Sequence, residues 1–338
     1  LILLFQGTAT YTPGTGSIAR DVNGGANIAS QISIIPNQQV PIIQASGYGL
    51  YLFNLLKENL EGDNNLLESP VNAPSNVLDN SYVNSSNIIA APSGTQSPTF
   101  TVPIPVPIVQ RMFNGIVGYW ELGNPLAQLS VQIIPGYSGT SSPYNIYSTT
   151  AGTQPYFVTG NATVTLANPV VDIMRYLYDT PVNPQDRPPV TFINVILEDT
   201  FQQSVGSAKS LSYTFAPLSG YIARVITYVN DSSTGLGVAP SLLLNANSLT
   251  FGIGDGTTLI TENIYEYLIR QRYELGTDMP RGSFYYDFLG KDLTFQNVFS
   301  TYDYNKINLG VNMSSAIGAS SYGKVIRQML KPLQYTAK

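Results

Sequence analysis

The sequence contains no cysteine and no histidine among its 338 residues. Without cysteine, the chain has no disulfide framework, no thiol nucleophile and no cysteine-ligated zinc or iron-sulfur site. Without histidine, it lacks the commonest metal ligand and the usual base that activates a serine or cysteine nucleophile. These two absences argue against an enzyme, and we expect no catalytic, cofactor-binding or metal site.

Charged residues are also scarce, at 11% of the chain, compared with about 25% in an average globular protein. Asn, Ser, Thr, Gln and Tyr take their place. Lys and Glu are depleted at the cores of protein interfaces, so a surface with few charges indicates that much of it is covered by partner proteins. An extracellular β protein with a merely polar surface fits the composition equally well. The net charge of -5 offers no basic footprint, so we expect no direct binding to nucleic acid.

Long apolar runs are missing as well. No stretch of about 18 apolar residues is present, and the N-terminal LILLF is too short to span a bilayer or to form a complete signal peptide. This segment is therefore not expected to anchor the chain in a membrane by itself.

Period-two alternation of apolar and polar residues recurs throughout the chain. It is clear in segments 129–133, 193–197, 211–215 and 307–313. Such alternation predicts antiparallel strands with one buried and one solvated face, so polar residues such as Asn194 and Glu198 are expected to face solvent. Parallel sheets would instead show continuous apolar runs joined by regular amphipathic helices. Together with 23 Pro, 29 Gly and long polar connections at 62–97 and 135–154, the pattern predicts an all-β sandwich fold.

Helix signals are few. The clearest predicts a helix that has Thr261 as its N-cap and Gly276 just past its end. A second candidate begins at Asn168-Pro169, because Asn caps helices well and Pro fits the first helical position. The same residues could equally lie in the last strand of a domain.

Two proline-rich segments bear on the organisation of the chain. In segment 102–108, three Pro alternate with apolar residues, and each lacks the N–H that an inner strand needs, so we predict an edge strand or an extended connector. A second cluster, at 180–189, precedes a new strand-like segment. We interpret it as a linker between two domains.

The C-terminal segment has no acidic residue after Asp303. Its five basic residues are Lys306, Lys324, Arg327, Lys331 and Lys338. This local positive charge could face an acidic neighbour or anionic lipid headgroups. Alternatively, the alternation within segment 325–330 predicts a solvated final strand.

The stretch GTDMPRGSFYYDFLG, residues 276–290, follows the predicted helix. Its distinctive residues are Gly276, Asp278, Pro280, Arg281, Gly282, Tyr285 and Tyr286. Pro fixes one backbone dihedral, Gly permits positive φ, and the aromatic side chains bury large surfaces, so the stretch predicts a rigid structural connector. It resembles a run in the double jelly-roll major capsid proteins of tectivirus-like bacteriophages, where it follows the helix before the later strands of the second barrel. The order of predicted strands that follows, at 293–299, 306–313 and 324–330, is also similar.

The resemblance implies two consecutive jelly-roll β-sandwiches with a few short helices, at residues 1–183 and 184–338. It implies a homotrimer that forms pseudo-hexagonal capsomers in the shell of an icosahedral double-stranded DNA virus, commonly around an internal membrane. The implied partners are copies of the chain itself, neighbouring capsomers, minor capsid or vertex proteins, and the internal viral membrane. The implied location is the virion.

Two other functions fit the same composition. The many Tyr and Asn residues could stack on sugars and hydrogen bond to them in a carbohydrate- or receptor-binding β-sandwich of a viral or cell surface. A polysaccharide-degrading enzyme would need only paired carboxylates, for which the candidates are Glu262, Glu266, Asp278 and Asp287. Their spacing does not support such a pair, and helix capping and turn formation explain the same residues.

Overall fold

The computed structural model describes most of the chain, and its fold is predominantly β. The described residues are 1–12, 14–20, 24–37, 40–61, 88–89, 95, 97, 99–112, 115–117, 128–149, 154–175, 192–202, 210–215, 220–230, 246–254, 257–276, 279, 282–289, 298–302, 306–313 and 322–332. The predicted linker at 180–189 lies outside them, as does most of the predicted loop at 62–97. The division of the chain at residue 183 therefore stays a prediction.

The first half contains short and long strands, a 3₁₀ helix (Gly24–Ile28) and the helix α1 (Gly47–Glu61). Its strands in the described part are β1 (Ile2–Thr12), β2 (Ile18–Arg20), β3 (Ala29–Pro36), β4 (Ile43–Ala45), β5 (Ile88–Ile89), β6 (Thr99–Pro105), β7 (Gln110–Met112), β8 (Gly115–Val117), β9 (Leu129–Pro135), β10 (Tyr144–Asn145), β11 (Tyr147–Ser148), β12 (Tyr156–Val158) and β13 (Thr163–Met174). Asn168-Pro169 thus lies in a strand and does not begin a helix.

The second half contains longer strands and the helix α2 (Ile264–Leu275). Its strands in the described part are β14 (Phe192–Gln202), β15 (Ser210–Phe215), β16 (Tyr221–Asn230), β17 (Ala246–Ile253), β18 (Thr257–Asn263), β19 (Ser283–Asp287), β20 (Phe299–Ser300), β21 (Ile307–Met313) and β22 (Tyr322–Pro332). The predicted strands at 306–313 and 324–330 are confirmed. Most of the strand predicted at 293–299 lies outside the described residues.

The second half is a jelly-roll sandwich. One sheet has the order β19-β16-β22-β14 and the other has the order β15-β21-β17-β18. The first and last long strands, β14 and β22, are neighbours in one sheet, and the next strands inward, β15 and β21, are neighbours in the other. This wrapping is the Greek-key connectivity of a jelly roll. Apolar side chains from both sheets fill the space between them, among them Val195, Phe215, Val225, Phe251, Leu309 and Met329.

The first half is less regular. It forms two four-stranded sheets, β10-β13-β1-β6 and β11-β12-β2-β5, whereas β4, β3 and β9 extend the β14 sheet of the second half. The two halves join where β4 pairs in parallel with β14, with Ile43 opposite Ile196 and Gln44 opposite Leu197. Parallel pairing also occurs between β11 and β12. The other strand pairs of the described residues are antiparallel, as predicted.

The proline-interleaved segment forms β6, which pairs with β1 at the edge of its sheet. Val102, Ile104 and Val106 point into the core, and all three are buried. The prolines between them place no backbone N–H donor on the outer side of the strand, because proline has no N–H. The predicted edge strand is confirmed.

Helix α1 is not predicted by the sequence. Its buried side chains include Tyr48, Leu50, Leu52, Phe53 and Leu56. All residues from 47 to 54 are buried, so the first two turns of the helix lack the exposed polar face that produces an amphipathic pattern. An apolar helix of this kind requires burial on all sides, and the first half and the shared sheet provide it.

Helix α2 begins two residues later than the sequence predicts. Its N-cap is Asn263, whose side chain accepts hydrogen bonds from the backbone N–H groups of Tyr265 at 3.0 Å and Glu266 at 2.9 Å. Thr261, the predicted cap, lies in β18. The end of the helix is as predicted, with Gly276 following Leu275.

The prediction of a solvated final strand is wrong. β22 lies between β14 and β16, and its side chains are buried from Val325 to Leu330 on both faces. One face contacts the core of the second sandwich, and the other contacts the core shared with the first half. Lys324 and Arg327 bind the acidic side chains of Glu198 and Asp199 within the same sheet. Between Val325 and Leu330, neither face of the strand is therefore available to lipid headgroups.

Candidate functional site

The seven distinctive residues of the stretch 276–290, called the motif below, begin directly after α2 and extend into β19. Gly276 ends the helix in the left-handed conformation, with φ of 70°, and its N–H donates to the carbonyl of Arg272 at 3.0 Å. Gly282 also has positive φ, 83°, immediately before β19. Both conformations favour glycine because a Cβ would be strained there. Three further motif residues, Asp278, Pro280 and Arg281, lie outside the described residues, so the motif's role as a rigid connector stays a prediction.

Arg270 of α2 hydrogen bonds to residues of β18, β19 and α2 itself. Its Nε and Nη2 donate to the two carboxylate oxygens of Glu262 in β18, at 2.7 and 2.9 Å. Nη1 donates to Glu274 at 3.1 Å, and Nη2 also donates to the backbone carbonyl of Tyr285 in β19 at 3.2 Å. The Tyr285 hydroxyl donates to the same Glu274 carboxylate at 2.7 Å. Bidentate geometry of this kind fixes orientation as well as distance.

Aromatic rings surround the Arg270 guanidinium. Its central carbon lies 5.3 Å from the ring centroid of Tyr267 and 5.1 Å from that of Tyr285. Burial raises the pKa of Tyr267, Tyr285 and Tyr286 above the usual value for a phenol. Burial opposes the charge of Arg270, but hydrogen bonding and charge from Glu262 raise its pKa. These groups keep fixed protonation states at neutral pH, which suits a structural network and not proton transfer.

The carboxylates proposed for polysaccharide hydrolysis are engaged elsewhere. Glu262 binds Arg270, and Glu266 accepts from the backbone N–H of Asn263 at 2.9 Å in a capping box. Asp287 lies 3.0 Å from the Nε of Arg224, whose side chain is fully buried. Asp278 lies outside the described residues. Each of the three described carboxylates therefore has a structural partner, an arrangement that does not form an acid–base pair.

A second polar cluster lies at the junction of the two halves and centres on Glu198 of β14. One carboxylate oxygen accepts from Ser46 Oγ at 2.9 Å and from the Tyr228 hydroxyl at 2.8 Å, and the Lys324 ammonium lies 3.1 Å away. The other oxygen accepts the backbone N–H of Ser46. Burial and the nearby Glu198 charge raise the pKa of Tyr228 well above its usual value. This cluster links side chains 152 residues apart in sequence.

Glu198 also lies at the N-terminus of α1. Ser46 Oγ accepts the backbone N–H of Gly49 at 3.0 Å, so Ser46 caps the helix while Glu198 places a negative charge beside its positive end. A Cβ on Gly49 would come within 2.6 Å of a Glu198 oxygen, so glycine allows this close approach. The N-cap of the first half's helix is therefore held by a carboxylate of the second half.

Asn194 provides another link on the same face of β14. Its amide donates to the carbonyl of Pro107 at 3.0 Å, and its oxygen accepts from Gln328 at 3.0 Å. Asn194 is fully buried. The sequence predicts solvent exposure for Asn194 and Glu198, and this is wrong because the face they share is covered by the first half. The only sequence signal available, alternation with apolar residues, is the same for a polar side chain in water and for one with a buried partner.

Within the described part of the chain, no group of three or more acidic side chains could hold a metal ion. Neither described helix is both long and apolar enough to cross a membrane.

No family model matches this sequence, and no curated protein matches it. Solved structures do match its fold. The crystal structure of the STIV MCP superimposes with a TM-score of 0.56 at 14% identity, covering 100% of this chain and 90% of that chain. The Faustovirus major capsid protein gives 0.54 at 9% identity, covering 98% and 77%. PBCV-1 VP54, fitted into a reconstruction of the virophage Sputnik, gives 0.53 at 9% identity, covering 97% and 86%. The chain therefore has the double jelly-roll fold of these proteins, and the predicted fold class is confirmed.

Proposed function

We propose that this chain is the major capsid protein of an icosahedral double-stranded DNA virus, and that three copies form a pseudo-hexagonal capsomer. The observation that carries the proposal is the double-sandwich architecture, which is shared over nearly the whole chain with the STIV MCP. In a trimer, the two sandwiches of each copy give six similar sandwiches, one at each corner of a hexagonal block. The function of the protein is then to form a closed shell from such blocks.

The junction between the halves supports this role. A capsomer with six corners requires the two sandwiches of each copy to hold a fixed relative orientation. Here the halves share one sheet through the β4–β14 pair, and the Glu198 cluster ties α1 to that sheet. A shared sheet and a buried polar network resist hinge motion between the halves better than a flexible linker would.

We assign residues 1–183 and 184–338 to the two jelly rolls, and place the protein in the virion shell, around an internal membrane. Its partners are other copies of itself, neighbouring capsomers and minor capsid or vertex proteins. The chain's low charge, 11% of residues, supports broad coverage by protein partners and not direct contact with the nucleic acid.

The mass of the purified protein in solution tests the proposal. Sedimentation velocity or native mass spectrometry should show a species three times the mass of the 36.6 kDa chain. Electron microscopy of concentrated samples should then show hexagonal blocks or larger shells. A strict monomer across concentrations up to about 100 μM, where even weak interfaces associate, would contradict the proposal.

A further inference from the structure

The end of β13 is unusually exposed for a strand. Val170, Val171, Ile173 and Met174 are exposed, at 52%, 37%, 50% and 49% of their surfaces, and they point to both faces of the strand. We call these four residues the β13 patch. One edge of β13 pairs with β1 along its length, but on the other edge pairing with β10 involves only Thr165 and Leu166. Within the described residues, the apolar end of β13 thus has an unpaired edge, which is a template for contact with another chain.

A cleft opens beside this patch. Its volume is about 160 Å³, and its lining includes Val170 and Val171. The other lining residues are Phe5, Gln6, Ile28, Ile133, Pro135, Tyr137, Leu166 and Pro169. A cavity of about 150 Å³ with apolar walls accommodates a benzene ring. The cleft is therefore large enough for an aromatic side chain, and Gln6 offers a polar group to a phenol.

The chemistry of the patch favours a protein partner. Asp172 and Arg175 carry opposite charges beside it, so the patch offers nothing selective for the polyanionic backbone of nucleic acid. Insertion into lipid is disfavoured because the unpaired N–H and C=O groups of the strand edge would lose water without gaining partners. An apolar protein surface that carries aromatic rings suits both the patch and its cleft.

Such a surface exists on the second half of the same chain. Tyr265, Ile269 and Tyr273 lie four residues apart on α2, so they share one face of the helix. They are exposed at 75%, 71% and 85% of their surfaces. We call these three residues the α2 stripe. Of the twelve large apolar residues exposed in the described part of the chain, the β13 patch and the α2 stripe contain seven.

The symmetry of a trimer relates the two surfaces. A closed ring of three copies is built from heterologous contacts, in which one surface of a copy meets a different surface of the next. We propose that the α2 stripe of one copy packs against the β13 patch of the next, with a stripe tyrosine in the cleft. This inference rests on the proposed homotrimer and identifies which surfaces form it.

Charge substitutions test the contact directly. In Val170→Lys or Ile269→Glu, an unpaired charge would be buried in an apolar contact, so each should raise the trimer dissociation constant at least about tenfold. In the double variant Val170→Lys/Ile269→Glu, the two charges would face each other at every interface, so a large part of the affinity should return. Val40→Lys introduces the same charge at another exposed valine and should leave assembly unchanged. Sedimentation velocity measures each dissociation constant, and circular dichroism verifies that each variant is folded.

The outcomes separate this inference from the proposed function. A wild-type protein that is strictly monomeric overturns the trimer and this contact with it. If the wild type is trimeric and both single variants assemble equally well, the contact is wrong while the capsid function stands. If the single variants dissociate and the double variant is no tighter than either, the two surfaces do not meet, which also overturns the contact. Recovery in the double variant alone supports it.

Discussion

The two halves of the chain build related sandwiches in different ways. The second half arranges its strands in regular jelly-roll order, as β15-β21-β17-β18 in one sheet and β19-β16-β22-β14 in the other. The first half contributes β4, β3 and β9 to the second of these sheets, which the two halves therefore share. The second half therefore has a core of its own between two sheets. The first half completes its core only by packing against the second, so the fold of the first half depends on contacts distant in sequence.

The helices show the same difference. In α1, apolar residues surround the helix axis, and the helix is buried between the halves. In α2, the buried positions Ile264, Tyr267, Gln271 and Leu275 recur at helical spacing, and the opposite face is exposed. A helix with one apolar face can pack on the surface of a finished sandwich, whereas an apolar helix needs protein on all sides. We therefore expect substitutions in α1 to affect the whole molecule.

Replacement of Phe53 should have the largest effect on stability. Phe53 is fully buried in α1, so Phe53→Ala should lower the free energy of unfolding by about 3 to 5 kcal/mol through lost burial and the resulting cavity. Tyr265→Ala, on the exposed face of α2, should change it by less than about 0.5 kcal/mol in the monomer. Urea unfolding monitored by circular dichroism measures both. Equal losses of unfolding free energy in the two variants would contradict the expected difference between the buried α1 and the exposed face of α2.

Replacement of Glu198 tests whether the junction unites the halves. Glu198→Ala leaves the Tyr228 hydroxyl and the Lys324 ammonium without their shared acceptor, and should cost about 3 kcal/mol. Glu198→Gln keeps an oxygen acceptor and should cost less. A fluorescent label attached in the variant Val40→Cys reports on the first half, where Val40 lies. The labelling is specific because the chain has no cysteine of its own.

In the wild type, the label and circular dichroism should report one unfolding transition. In Glu198→Ala, the label in the first half should change at a lower urea concentration than the bulk of the secondary structure. Coincident transitions in the variant, with a loss below about 1 kcal/mol, would show that the Glu198 cluster does not join the halves.

The cap of α2 should have the smallest effect. Asn263→Ala removes the acceptor for two backbone N–H groups, at 2.9 and 3.0 Å, and should cost about 1 kcal/mol. The matched variant Thr261→Ala alters the residue that the sequence predicts as the cap and should cost less, since Thr261 lies in β18. Thermal unfolding of both variants decides between the two caps. A larger loss in Thr261→Ala would favour the cap predicted from sequence.

The sequence predicts the exposed α2 and the edge strand β6 because both depend on local properties. The α2 pattern arises from one buried face, and the prolines of β6 remove the N–H donors that a further strand would need on its outer side, whatever the surroundings. α1 could not be predicted in the same way, because residues 47–54 in its first two turns are buried on every side and present no exposed polar face. The error in the α2 cap has a similar origin, since Thr261 and Asn263 are both good caps and the extent of β18 decides between them.

For the candidate site, the sequence provides the residue types of the connector at 276–290 but not the network around Arg270. That network brings together β18, α2 and β19, and its partners are set by packing. The role of the seven motif residues stays a prediction. Glu198 and Asn194 were missed as junction residues because their alternation with apolar neighbours is the same whether water or protein covers the polar face.

Three properties can be read from the residues alone: the all-β class, the absence of cysteine and histidine, and the small number of charged residues. These properties follow from composition and from periodicities within single strands, which a chain displays without reference to distant residues. Three features depend on tertiary contacts: β4 lies beside β14, β22 is buried on both faces, and Glu198 of the second half holds Ser46, the N-cap of α1. Those features depend on which strands become neighbours, and a strand's own sequence does not specify its neighbour when both faces can be buried.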